Sequence, residues 1–318
     1  MMEKIRVGIS QCLLGENVRY DGQHKQDPYI TGVLGQWFEF VPVCPEVECG
    51  MGVPRKRIQL EGRVEAPRMV TIETRNDLTT LMQAWCSRRM PELEGEALCG
   101  FIFKRKSPSC GVERVKVYSA ENEAPENKGT GLFAAAFMHH FPELPVAEED
   151  WLHDPGLREN FIERVLALKR WRELIADGSG ASGLVKFHAH YKYLLMAHSV
   201  PLYRELGRIT ADLKNRPIEQ IQADYYERLM KALALRTTVK KQVNVLQHMA
   251  GYFKKQLNAD EKRELHEVIE RYHEGHVPLI VPIAILNHYV EKYDERYLKN
   301  QYYLNPHPME LHLRNHLD

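Results

Sequence analysis

The sequence predicts an α/β N-terminal domain with a largely parallel sheet, followed by an all-α C-terminal domain. Three observations predict it. Short apolar runs alternate with helical patterns through the first half of the 318 residues, which is the rhythm of layered α/β units. A single Gly/Ser-rich stretch, ADGSGASG (176–183), punctuates the chain. Beyond it the apolar residues recur at helical spacing. We therefore expect domains over 1–178 and 179–318.

Taken in order, IRVGI (5–9), FEFVPV (38–43), RMVTI (68–72), GFIF (100–103) and RVKVY (114–118) read as strands. PYITGVLGQW (28–37), DLTTLMQAWCSRRM (77–90) and GLFAAAFMHHF (131–141) read as helices. Asp154 as N-cap and Pro155 at the first helical position open a further helix. In the second half VKFHAHYKYLLMAHS ends at Pro201, a long helical segment spans about Ile218 to Leu257, and Asn258/Glu261 form a capping pattern ahead of a helix that closes on Gly275.

Charge is balanced, with 43 basic and 43 acidic residues, and 44% of the chain is hydrophobic, as in ordinary globular proteins. The longest apolar candidate, VPLIVPIAIL (277–286), falls short of the ~20 residues of a spanning helix and is broken by Pro278 and Pro282. With no basic-then-apolar signal at the N-terminus, the expected location is the cytoplasm, with no membrane association and no stable protein partner implied. Residues 228–259 contain no acidic residue but hold Lys240, Lys241, Lys254 and Lys255, a basic face suited to a polyanion or simply to solvent.

All six cysteines lie within the first 110 residues: Cys12, Cys44, Cys49, Cys86, Cys99 and Cys110. Cys12, Cys44 and Cys110 each follow an expected strand, and loops leaving the carboxyl ends of neighbouring parallel strands converge on one crevice. Structural zinc is usually announced by two C-x2-4-C knuckles, and no such pair of knuckles is present, Cys44 to Cys49 being the one spacing of that kind. Iron–sulfur clusters take thiolates, and a cubane held by only three leaves one iron open. Spacing alone leaves such a cluster and buried thiols both open. Cys86 and Cys99 read as small buried hydrophobes.

The segments ISQCLLGENVRYDGQHK, VPVCPEVECGMGVPR and KSPSCG, in that order, resemble the three signature segments of the thiouracil desulfidase family. With a helical domain containing KFHAHYKYLLMAHS behind them, the arrangement resembles the two-domain bacterial tRNA 4-thiouridine desulfidases. The resemblance implies a 4Fe-4S cluster on Cys12, Cys44 and Cys110, with one open iron that captures the substrate's sulfur. It further implies thiolated tRNA as partner, held in part by the helical domain. Cys49 stands where many members have an apolar residue or glycine, and reads as a neighbour of the cluster, a reserve ligand or core filler, the last being preferred.

Hydrolysis of a thione needs water at carbon and protons moved on and off the ring. Glu46 is the candidate acid/base, a carboxylate at an apolar site being suited to that task, with a salt bridge to Arg55 as the alternative. By resemblance Ser107 is the catalytic hydroxyl; capping of local N–H groups is the alternative for Ser107 and Ser109 alike. Lys104 and Lys106 could position a phosphate or balance cluster charge. Tyr191, Tyr193 and Phe253 read equally as base-stacking rings or helical core. His188 and His190 form an H-x-H pair, but scattered histidines without cysteines do not make a second metal site. Three other functions stay in play: a desulfidase of free thiouracil or thionucleosides, a non-catalytic RNA-binding iron–sulfur sensor, and a carrier of sulfide for tRNA thiolation. The last is disfavoured by the lack of a GxxxxGK[ST] loop.

Overall fold

The computed structural model of the chain describes residues 4–119, 124–213 and 215–306. Two compact units divide it, Met1–Asp154 and Pro155–Asp318.

The N-terminal unit contains β1 (Ile5–Ser10), β2 (Phe38–Val43), α1 (Pro45–Glu48), β3 (Ile58–Arg63), β4 (Ala66–Thr71), α2 (Thr79–Gly95), β5 (Phe101–Phe103), β6 (Val115–Tyr118), β7 (Glu126–Gly129), α3 (Leu132–His140) and β8 (Val146–Glu148). Four strands form a parallel sheet in the order β2-β1-β5-β8. All but one residue of β1 is buried, as expected of a central parallel strand covered on both faces. Its neighbour β5 approaches so closely that a Cβ on Gly8 would stand 2.2 Å from the Phe101 ring, so only glycine fits there. Phe101 and Phe103 stack at 4.2 Å, and Phe133 and Phe137 of α3 close over them edge-on or tilted.

The sheet is less inclusive than the sequence suggests. The expected strands at 68–72 and 114–118 belong to a second, mixed sheet of order β4-β3-β6-β7. Within it β3 runs antiparallel to β4 and parallel to β6, and β6 runs antiparallel to β7. Residues 29–36, expected as a helix, form a π turn followed by a 3-10 turn.

The second unit is helical: α4 (Pro155–Ala176), α5 (Gly180–His198), α6 (Val200–Ala211), α7 (Ile218–Ala234), α8 (Val239–Ala250), α9 (Ala259–His273), α10 (Ile280–Lys292) and α11 (Arg296–Lys299). The Gly/Ser-rich stretch is therefore the turn between α4 and α5 and the opening of α5, with Gly178 and Gly180 at positive φ. The division falls 24 residues before the expected boundary at 178, because α4 packs with the helices that follow it. The long segment expected over 218–257 is broken at residues 235–238, where Thr238 caps α8 by accepting from the Lys241 N–H at 3.4 Å. Pro201 sits in the first turn of α6, which Ser199 caps. Asn258 and Glu261 complete the expected capping box of α9.

Rings fill the helical core. Tyr191, Tyr193, Tyr225, Phe253, Tyr272 and Tyr303 are all buried, and Trp171 stacks on Tyr225 at 5.4 Å. His188 donates or accepts at the Tyr225 hydroxyl (3.0 Å) and lies flat on Tyr203, and burial pushes its imidazole down to about 4. Among the described residues no helix is long and apolar enough to cross a membrane.

Candidate active site

The carboxyl ends of β2, β1 and β5 supply Cys44, Cys12 and Cys110 in that spatial order. Cys12 lies in the 3-10 turn directly after β1, Cys44 is the N-cap of α1 directly after β2, and Cys110 ends the loop that follows β5. All three are buried thiols lining one cavity of about 260 Å³.

The loop bearing Cys110 is held from two sides. From one side α3 presents its first N–H groups: Leu132 donates to Pro108 O (3.1 Å), and Phe133 and Ala134 donate to Ser109 O (3.0 and 3.1 Å). A Cβ at Gly131 would meet the Ser109 carbonyl at 2.5 Å, so this approach needs glycine. From the other side come three consecutive acids at the end of β8. Glu148 accepts from the N–H of Val112 at 2.8 Å, Glu149 pairs with Lys104 and accepts from the Arg105 N–H at 2.6 Å, and Asp150 pairs with Arg105 at 2.5 Å. Sequence reasoning missed these three; the signal was an acidic run, EED, directly behind a short apolar segment.

Glu46 faces the same cavity and is engaged on both oxygens. Arg55 pairs with Oε2, and the same guanidinium donates to the carbonyls of Val18 (3.0 Å) and Gly52 (2.9 Å). The salt bridge that stood as the alternative for Glu46 is thus present, without removing the carboxylate from the cavity. Oε1 accepts from Ser109 Oγ at 2.5 Å, and Ser109 Oγ lies 2.9 Å from Ser107 Oγ. With the Ser109 proton committed to Glu46, Ser107 donates to Ser109 at the shorter distance, which orders the chain Ser107 to Ser109 to Glu46, and its Oγ also lies 3.5 Å from Glu46 Oε1. Ser107 lines the cavity; Ser109 is fully buried behind it. Ser107 Oγ also accepts from the N–H of Ser109 (3.3 Å) and Cys110 (3.2 Å), so capping and presentation to the cavity are one arrangement.

Six cationic side chains line the cavity (Arg19, Arg55, Arg57, Lys104, Arg105 and Lys106) against one carboxylate, Glu46. Lys104 is held by Glu149, whereas Lys106 is exposed at a left-handed φ of 57°. Tyr20, 37% exposed, supplies an aromatic ring to the rim. Asp21 makes the turn beside it, accepting from the Gln23 N–H at 3.1 Å.

Burial pushes the Cys12 thiol up to about 12 and that of Cys44 to about 11, and raises Cys110 well above the ordinary thiol range. Mutual repulsion adds to this, since Cys110 feels both Cys12 and Cys44. Among the described residues no group of three or more Cys, His, Asp or Glu side chains is suited to a single metal ion. Three soft donors from three adjacent strand ends, lining one cavity, match the donor chemistry of an iron–sulfur cluster, which takes thiolate ligands.

The remaining cysteines lie elsewhere. Cys49 is buried outside the cavity lining, its Sγ directed at the Glu46 carbonyl (3.4 Å), and Cys86 and Cys99 are buried in the core. In the helical unit Lys240, Lys254 and Lys255 are exposed, but the Lys241 ammonium donates to the carbonyls of His198 (2.7 Å) and Arg236 (3.0 Å) and so braces the turn before α8.

Residues 7–149 match the family model described as 2-thiouracil desulfurase, and residues 192–308 match that of a protein of unknown function (DUF1722). The uncharacterized protein YbgA of Escherichia coli (strain K12) is 30% identical over 158 residues, covering 49% of this chain and 94% of YbgA. The N-terminal segment of this chain belongs to the thiouracil desulfidase family. As in the family model, the thiouracil desulfidase segment is the N-terminal unit, which carries the cysteine cavity. Among solved structures, the 4Fe-4S-dependent thiouracil desulfidase TudS shares 30% identity, with 48% of this chain and 95% of TudS covered and a TM-score of 0.39.

Proposed function

We propose that the chain is an iron–sulfur-dependent desulfidase acting on thiolated pyrimidines, with 4-thiouridine in tRNA as the substrate. The net reaction is thiocarbonyl plus water giving carbonyl plus hydrogen sulfide, so 4-thiouridine becomes uridine with no net oxidation or reduction. The observation that carries this reading is the meeting of Cys12, Cys44 and Cys110 with Glu46 and Ser107 around one cavity.

The three thiolates would hold a 4Fe-4S cluster whose open iron supplies a soft Lewis acid for the sulfur of the substrate. Everything else is done by the chain. Ser107 presents a hydroxyl to the cavity, and the chain through Ser109 gives a proton taken there a route to Glu46 Oε1. Arg55 fixes the orientation of Glu46 and offsets its charge. The Tyr20 ring offers a face to the pyrimidine, and Lys106 offers a charge to an attached phosphate. Lys240, Lys254 and Lys255 on the helical unit supply long-range attraction for a polyanion. Free thiouracil is the second reading, favoured by the family model that matches the N-terminal unit.

The test is anaerobic reconstitution followed by nucleoside analysis of thiolated tRNA. Loss of 4-thiouridine with an equal gain of uridine and of sulfide is the expected result. Turnover of 2-thiouracil with no change in the tRNA would assign the free base instead; cluster-dependent RNA binding with no sulfide would make the chain a sensor.

A further inference from the structure

We propose that the open face of the second sheet is a binding site for the nucleotide that flanks the reacting base in a single-stranded polynucleotide, with Tyr118 as the stacking surface and Lys116 as the phosphate anchor. This rests on the substrate reading above and places part of the polynucleotide contact on the N-terminal unit itself.

A second cavity of about 620 Å³ adjoins the cysteine cavity and shares with it Ile58, Ile72, Lys106 and Pro108. A group bound there is therefore continuous with whatever occupies the reacting site. The sheet dictates its chemistry. Along β6 the buried Val115 and Val117 alternate with the outward Lys116 and Tyr118. Asn127 of β7 pairs opposite Lys116, and Gln59 of β3 lies one register step before the Leu60–Val117 pair, which puts it beside Lys116. Two amides thus flank an ammonium on one face, that of Gln59 also donating to Glu61 at 2.6 Å, and two residues along stands a phenol ring that is 37% exposed.

Among the described residues the cavity lining carries Lys106, Arg114 and Lys116 and no carboxylate. Beside it Glu61 lies opposite Tyr118, and Arg75 grips both of its oxygens and holds its carboxyl below the usual carboxylate range. Arg114, paired with its neighbour Glu113 at 3.4 Å, and Lys106 add cations at the lining. An exposed ring, hydrogen-bonding amides and lysines on a sheet suit an unpaired base joined to phosphates. A free thiobase would leave this surface unused. The volume lies within the ~300–1,000 Å³ of small-ligand pockets, room for a single nucleotide unit.

The test uses the full chain and fluorescence anisotropy with a labelled, sulfur-free single-stranded pentauridylate, which reports on this face whether or not desulfidation occurs. Tyr118→Ala and Lys116→Gln are each expected to weaken binding ~10-fold, the range of a lost stacked base or phosphate contact. Tyr118→Phe should keep the parent affinity, and Lys116→Gln should reduce the salt slope by about 0.7. The charge-removing control Arg88→Gln, on the exposed side of α2, should bind as the parent does. With reconstituted enzyme, the ratio of kcat/KM for a thiolated oligonucleotide to that for free 2-thiouracil should fall ~10-fold in Tyr118→Ala. Parent-like binding by Tyr118→Ala, or equal weakening by Arg88→Gln, would overturn the site. Intact oligonucleotide binding without sulfide release by the parent would instead overturn the substrate reading and leave the site standing.

Discussion

Around the cysteine cavity, most charged side chains are partly or wholly withdrawn from water and tied to a counter-ion: Glu46 to Arg55, Lys104 to Glu149, Arg105 to Asp150. In the helical unit Glu163 is likewise buried beside His198, at 3.3 Å, but most lysines of the basic segment are not. Tyrosines and phenylalanines fill the interior, and Lys240, Lys254 and Lys255 stand in solvent. The difference teaches what each kind of charge can do. A buried, clamped charge is fixed in direction and strong at short range, which suits bond-making; an exposed one is screened within about 10 Å and attracts without orienting.

The sharpest way to break the contrast is to remove the thiols. Cys12→Ala, Cys44→Ala and Cys110→Ala should each reduce sulfide release to background and lower bound iron, measured on anaerobically reconstituted protein. Cys86→Ala, equally buried but away from the cavity, should retain both. Activity retained by any one of the first three would remove that residue from the ligand set.

Next in size is the clamp on Glu46. Arg55→Met leaves a carboxylate without its buried partner and should destabilise the protein by about 3 kcal/mol in denaturant unfolding. An unchanged midpoint would show that solvent reaches Glu46. Ser107→Ala should lower kcat ~100-fold with the iron content unchanged, as expected for loss of a proton-transfer group. A parent-like kcat would reduce Ser107 to a cap of the Cys110 loop.

The helical unit is predicted to respond to pH instead. His188 is held neutral in the fold, at about 4, against 6.5 when unfolded, so the unfolded chain binds more protons between those values. Stability is complete above the unfolded value and declines as pH falls towards 4. Thermal unfolding should therefore drop by roughly a few degrees over that interval, and His188→Gln should flatten the slope. The smallest effects belong to the exposed lysines. Lys254→Ala and Lys255→Ala should each weaken tRNA binding only about 2-fold and reduce its salt dependence, with no loss of iron.

Much of this was legible from local pattern. The strands leading into Cys12 and Cys44 are short apolar runs, the capping box at Asn258 is a four-residue signal, and Cys86 sits on a helix with the spacing of a core residue. What escaped was non-local. β3, β7 and β8 carry weak or interrupted patterns, because β3 and β7 are half exposed and β8 has three residues. Strands 68–72 and 114–118 look like members of the parallel sheet in sequence, since pairing partners leave no mark on a single strand. The break at 235–238 was hidden because basic and apolar residues continue through it, and the unit boundary at 154 because packing of α4, not chain flexibility, decides it.

By itself, then, the sequence determined where soft donors follow strands, since hydrophobic periodicity and turn residues act over a few positions and need no partner. Only the tertiary structure decided that Ser109 lies between Ser107 and Glu46, that three acids at the end of β8 brace the Cys110 loop, that Lys241 is engaged with backbone carbonyls, and that Lys116 and Tyr118 share an open face. Those outcomes depend on which strand pairs with which, and pairing is set by the fit of side chains far apart along the chain.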